Sequence, residues 1–297
     1  MDPPATNLTR FTLPVAASDM HWIASARPRC LEGQILGDPW TWRLARMLNK
    51  VPEVTLAFWV IKIMSTTVGE TGADYLAVHV GLGTAITDGI MLTLLVASLL
   101  MQLRARQYVP WRYWLTVVLV SVVGTQITDF LTDKLDISLY VSTTVFAAAL
   151  AVTFAVWYAV ERTLSIHTIF TRRRELFYWT AILFTFALGT AAGDLATEAL
   201  QLGFRLGVVA FGALIAITAL AYYYGANPVL TFWIAYVLTR PLGASLGDLL
   251  SQAKTYGGLG LGTIVTSATF LATIVILVTW LSIGENGQRG APKTAND

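Results

Sequence analysis

Charge is what this chain has least of. Asp, Glu, Lys and Arg make up only 13% of its 297 residues, while 55% are hydrophobic and mean hydropathy is +0.61. A soluble domain carries about 25% charged residues, so an ordinary soluble domain is excluded and a polytopic membrane protein is indicated. The formal net charge of +2 is too small to suggest nucleic acid as a partner. The single cysteine, Cys30, excludes an intramolecular disulfide and a cysteine metal cluster. His21, His79 and His167 are scattered, which argues against a histidine-rich metal site. Enzyme signatures are also missing: there is no P-loop, no Gly-x-Ser-x-Gly, no His-Glu-x-x-His and no dinucleotide fingerprint. The expectation is a non-enzyme without a cofactor. No apolar core of a signal peptide stands near the start, where the apolar run at 11–17 is short and interrupted.

What the chain does have is long hydrophobic runs. Eight of them, at about 54–77, 80–103, 112–133, 137–160, 176–199, 202–224, 229–252 and 259–283, are each near the ~20 residues that cross a bilayer. Links after spans 1, 3, 5 and 7 are short, which predicts tight hairpins. The expected fold is an all-α membrane protein of eight transmembrane helices, built as four parallel two-helix hairpin repeats at about 54–103, 112–160, 176–224 and 229–283. Residues 1–50, with Pro3, Pro4, Pro14, Pro28 and Pro39, read as a mostly disordered tail, with a short interfacial helix at 40–49. Residues 284–297 read as a second disordered tail, leaving 51–283 as the membrane domain. Trp111, Trp114, Trp157, Trp179 and Tyr222, Tyr223 and Tyr224 fall near span ends and read as interface anchors.

Arg43, Arg46 and Lys50 precede the first span, Arg104, Arg106 and Arg112 follow the second, and Arg162, Arg172, Arg173 and Arg174 follow the fourth. The other side has only Lys134, Arg205 and Lys254. The positive-inside rule then predicts that both termini are cytoplasmic.

One pattern recurs in every odd span: Gly-x-x-x-small-Asp, at Gly69–Asp74, Gly124–Asp129, Gly189–Asp194 and Gly243–Asp248, with Asp-to-Asp intervals of 55, 65 and 54 residues. Residues four apart share a helix face. At that step the odd spans carry polar stripes: Lys62, Thr66, Glu70 and Asp74; Ser121, Thr125, Asp129 and Asp133; Thr190, Asp194 and Glu198; Arg240, Ala244 and Asp248. Asp at the centre of a membrane helix costs about 2.5–3.5 kcal/mol on insertion scales, so such groups face a bundle interior, pair or line water. Four converging stripes predict an acidic, partly hydrated cavity whose carboxylates cannot all ionise cheaply. Glu70, Asp74, Asp129, Asp194 and Asp248 are the candidate cation or metal ligands; Asp88, Glu198 and Asp133 are further candidates; Lys62 and Arg240 would tune them or occupy the site when it is empty. Oxygen ligands suit a divalent metal such as Mn²⁺, and proton exchange would make a carrier. Pro241 after Arg240 predicts a kink.

Two other readings fit the same residues. Gly-x-x-x-small lets helices approach closely, so the motifs could be packing seams in a non-transporting scaffold. Lys62 and Arg240 could instead draw a small organic or anionic solute.

The stretches Lys62–Asp74 and Thr239–Asp248 resemble a bacterial family of uncharacterised membrane-anchored proteins, over about residues 50–283. The resemblance implies an integral inner-membrane protein with internal repeats, and no activity.

Overall fold

The computed structural model describes residues 49–79 and 84–290. Of the expected tails at 1–50 and 284–297, residues 1–48, with most of the proposed interfacial helix, and 291–297 lie outside the described residues. Eight long helices follow one another: α1 Leu56–His79, α2 Thr84–Arg104, α3 Pro110–Asp129, α4 Leu139–Glu161, α5 Arg172–Asp194, α6 Gly203–Tyr223, α7 Pro228–Ser251 and α8 Thr263–Gly290. Pro110 and Pro228 sit in the first turns of α3 and α7, where a missing N–H costs nothing, and Asn227 caps α7 through its side chain. Seven helices, α2 to α8, are long and apolar enough to cross a membrane. The remaining one, α1, is the helix with Lys62, Glu70 and Asp74. The last helix runs to Gly290, about two turns beyond the expected 283, because no proline interrupts it before Pro292.

α3 and α5 share an irregularity. After Asp129 and Asp194 the chain widens into a π turn, at Phe130–Lys134 and Leu195–Ala199. Each turn is closed by a left-handed residue, Asp136 and Gln201, both at φ 55°. The same wide bond follows in both, Ile137 N–H to Leu131 O at 3.0 Å and Leu202 N–H to Ala196 O at 3.2 Å. π turns inside helices cluster at functional sites, and here two of the four motif aspartates open one.

The odd helices form a closed inner ring in the order α1, α3, α5, α7 and back to α1. The motif glycines make this possible. A Cβ on Gly69 would collide with Ser121, on Gly124 with Phe186, on Gly189 with Arg240, and on Gly243 with Thr66. Each glycine thus receives the residue three positions before the next helix's own glycine. The ring is a repeated, one-directional knob-and-notch with approximate fourfold symmetry.

The even helices lie outside, and here the tight-hairpin expectation needs correcting. α2 leans on α3, α4 on α5, α6 on α7, and α8 returns to α1, while helices of one repeat touch little. An outer helix seats against the next inner helix because small and hydroxyl residues let it in. Ser98 and Thr116 hydroxyls meet at 2.6 Å, Thr71 and Ser267 at 2.6 Å, and Gly207 sits against Ser245 and Thr197.

A second correction concerns the tryptophans. Trp114, Trp157 and Trp179 are buried, not interfacial, whereas Trp111, Tyr223 and Tyr224 are exposed. Ten residues before each motif glycine stands a tryptophan, with an aromatic just before it: Phe58-Trp59, Tyr113-Trp114, Tyr178-Trp179 and Phe232-Trp233. These pairs interlock in edge and tilted contacts, with Tyr113 and Tyr178 hydroxyls bonded at 2.5 Å. They close the ring below the polar stripes with a solid aromatic floor.

Candidate functional site

Above that floor the ring axis carries charge in layers. The lowest is Lys62 of α1, fully buried, whose Nζ makes no hydrogen bond. It stands 4.0 Å from the ring centre of Phe186 on α5 and 4.4 Å from that of Tyr236 on α7. Both lie within the range of cation–π attraction. Arg240 approaches Phe186 too, at 5.7 Å.

The next layer is organised by Arg240. Its guanidinium is completely buried and is held by the three other inner helices. Nη1 donates to the Thr66 carbonyl at 3.0 Å; Nη2 donates to Glu70 Oε2 at 2.8 Å, to Thr190 Oγ1 at 2.6 Å and to Thr125 Oγ1. The Thr125 hydroxyl also reaches Glu70 Oε2, at 3.4 Å. The centre expected to be water is therefore filled by an arginine and its carboxylate. A buried pair is tolerable only when its remaining donors and acceptors are met, and the threonines of α1, α3 and α5 supply most of them. Arg240 Nε stays without a partner.

The aspartates form the outermost layer. Asp194 of α5 lies within electrostatic reach of Glu70 of α1, Asp248 of α7, Asp129 of α3 and Glu198. Asp248 is buried, Asp129 and Asp194 are half-buried, and Glu198 and Asp133 are exposed. Glu198 still reaches Glu70 and Asp133. Asp74 belongs to α1, and its side chain lies outside the described residues.

Two site expectations find no support among the described residues. Among the described residues no three of His, Cys, Asp and Glu stand close enough to hold a metal ion. Glu70, Asp129, Asp194 and Asp248 are near one another without forming a coordination shell. Their helices stand about 8–10 Å apart, and Glu70, a turn deeper, is taken by Arg240. Asp88 does not join the layer either. It is half-buried on the outer helix α2, and the charge nearest to act on it is Lys134.

A separate polar cluster, not anticipated, closes the opposite end. Lys50, expected only as a flanking positive charge, is buried and pairs with Glu175 Oε2 at 2.7 Å. Gln102 of α2 donates to Glu175 Oε1 at 3.3 Å, and Lys50 also donates to the Leu103 carbonyl at 3.3 Å. Lys50→Met should cost about 3–5 kcal/mol by stranding the Glu175 carboxylate, and Lys50→Met/Glu175→Leu should recover most of it. Unfolding titrations of the two variants check this.

Sequence reasoning found Lys62, Arg240 and the acids, and missed Phe186, Tyr236 and Glu175. The aromatic-Trp pair ahead of each glycine was the available signal for the floor. Nothing local marks Phe186, which takes the place that Thr66, Ser121 and Arg240 hold in the other repeats.

No curated protein and no solved structure matches this chain. A family model does, at residues 57–108, 112–163, 177–226 and 231–285. These four segments are the four helix pairs that the ring arranges, and on this match the chain belongs to the family described as Repeat of Unknown Function (DUF347).

Proposed function

We propose that the protein is a multi-pass carrier of the bacterial inner membrane, with both termini cytoplasmic, that moves a cation in exchange for protons. The observation that carries this reading is where the fourfold pattern breaks. Position for position, Lys62 stands where the other repeats have Val117, Ile182 and Tyr236. Glu70 stands where they have Thr125, Thr190 and Ala244, and Arg240 where they have Thr66, Ser121 and Phe186. Pro241 replaces Thr67, Val122 and Ala187. All four departures lie on α1 and α7, the seam that closes the ring. The α3–α5 seam packs without charges at these places, so the fold does not require them. Charges that a fold does not need, at a cost, point to a task.

In this reading Arg240 neutralises Glu70 while the site is empty. An incoming cation takes the carboxylate, with Asp129, Asp194 and Asp248 forming its entrance. The excess of acids over Lys62 and Arg240 favours a cation over an anion. The lack of a three-carboxylate shell among the described residues gives a divalent metal such as Mn²⁺ less support than a monovalent cation. The scaffold reading draws support from the glycine notches, which serve packing whether or not anything is transported.

The test is uptake by reconstituted vesicles of a cation panel, with and without a pH gradient. Asp194→Asn should abolish uptake while leaving insertion and thermal stability unchanged. Unaltered uptake in that variant, or none by the parent for any cation, removes the carrier reading in this form.

A further inference from the structure

We infer that the α1–α7 site takes an organic cation, a guanidinium or primary ammonium, and that Arg240 and Lys62 are its resident stand-ins. The inference rests on the carrier reading and names its substrate class.

The site offers two receptacles, and both are already shaped to organic cations. The first is planar and hydrogen-bonding. One carboxylate oxygen of Glu70, the Thr66 carbonyl and the Thr125 and Thr190 hydroxyls surround one side of a guanidinium. Glu70 Oε2 and the Thr125 and Thr190 hydroxyls converge on Nη2 while the Thr66 carbonyl takes Nη1, so the acceptors meet two adjacent nitrogens of one planar group. The second receptacle is aromatic. The rings of Phe186 and Tyr236 face Lys62 Nζ, with no oxygen bonded to it. Ring faces suit organic ammonium groups, which are the usual guests of aromatic cages. A small divalent ion dehydrates reluctantly and asks for several oxygen ligands, and no three acids among the described residues stand close enough to hold one.

The two receptacles share Phe186, whose ring is approached by Lys62 and by Arg240. One substrate cation can therefore enter a receptacle at the expense of one side chain, which keeps the number of cations in that receptacle the same. Two unsatisfied donors, Lys62 Nζ and Arg240 Nε, show that neither occupant uses all its hydrogen-bonding capacity where it rests. The exchange also has a mechanical route. Pro241 cannot donate the helical bond toward Val237, so α7 is weakest beside Arg240. A guanidinium displaced from Glu70 has Asp194 close by as a second carboxylate, since those two acids interact.

The experiment measures binding to the purified full chain in lipid nanodiscs, by thermal shift and calorimetry. The probes are the chlorides of methylguanidinium, ethylammonium, K⁺ and Mn²⁺ at low millimolar concentration. Methylguanidinium and ethylammonium are expected to bind saturably and raise the melting temperature, and K⁺ and Mn²⁺ are not. Phe186→Leu should weaken both organic cations at least about tenfold, whereas Gly212→Leu, on the outer helix α6 with nothing within 4 Å, should bind them like the parent. Arg240→Ala, freed of its competitor, should bind methylguanidinium at least about tenfold more tightly. If K⁺ or Mn²⁺ binds and the organic cations do not, this inference falls and the carrier reading stands. If methylguanidinium binds Arg240→Ala but never the parent, Arg240 is a fixed plug and the inference is overturned. If the parent binds none of the four and vesicles take up no cation, both readings fall. The parent measurements decide the matter even if a variant fails to fold.

Discussion

Arg240→Met is expected to be the most damaging single side-chain change on the ring axis. It removes the charge bonded to buried Glu70 and takes from the Thr66 carbonyl and the Thr125 and Thr190 hydroxyls the donor that Arg240 gives them. Losing one partner of a buried pair costs about 3–5 kcal/mol, chiefly as the penalty on the charge left behind, which is a large part of a typical folding free energy. Replacing both partners separates structure from task. Glu70→Leu/Arg240→Leu fills a similar volume with apolar atoms and should regain most of that stability, because burying an ion pair gains little over burying hydrocarbon. Transport should remain absent in the double variant. Unfolding in detergent alongside vesicle uptake reads both quantities. If the double variant transports, the pair is only a cross-link; if it stays as unstable as Arg240→Met, the stranded-charge account is wrong.

The second large effect is expected at a motif glycine. Gly124→Leu should abolish accumulation of folded protein. Even the first added carbon would lie 2.6 Å from Phe186 Cβ and 3.4 Å from the Ala187 backbone nitrogen, where α3 and α5 meet. Those atoms are backbone and stem, so they cannot swing aside, and the helices would have to separate. Separation would also stretch the Thr128 hydroxyl bond to the Ala187 carbonyl, now 3.1 Å. Overpacking a tight core costs about 1–3 kcal/mol per site, and more where backbone must move. Gly212 on the outer helix α6 meets nothing within 4 Å, and Gly212→Leu should be tolerated. Size-exclusion profiles and expression of the two variants make the comparison. Equal tolerance would mean that the notches are not the source of close packing.

These expectations divide the repeated motif into parts that the linear pattern runs together. Its glycine sets the distance between inner helices. Its aspartate, one turn and a half further, belongs to a separate layer at the mouth. A packing motif and a polar stripe therefore coexist on the same helices, and the choice between them is not exclusive. Lys62 and Arg240 stood out early because a charge inside an apolar run is rare. Phe186 and Tyr236 did not, because an aromatic residue in such a run is ordinary until a cation is seen beside it. Trp114 and Trp179 read as interface anchors in the sequence for a related reason: proximity to a span end suits both an interface anchor and an inward plug, and only the neighbouring helix distinguishes them.

The amino-acid pattern alone determined the eight helices, their pairing into four repeats and the axial positions of glycine and acid. Each follows from composition and spacing along one chain, which local physics reads directly. Tertiary structure decided which helices are inner, that α7 closes the ring against α1 with α8 packed outside it, and that Glu70 spends its charge on Arg240. Those facts depend on contacts between residues as far apart as Thr71 and Ser267, 196 positions in sequence. No local periodicity carries them, because a helix face facing a partner and one facing lipid are equally apolar, and only packing tells which is which.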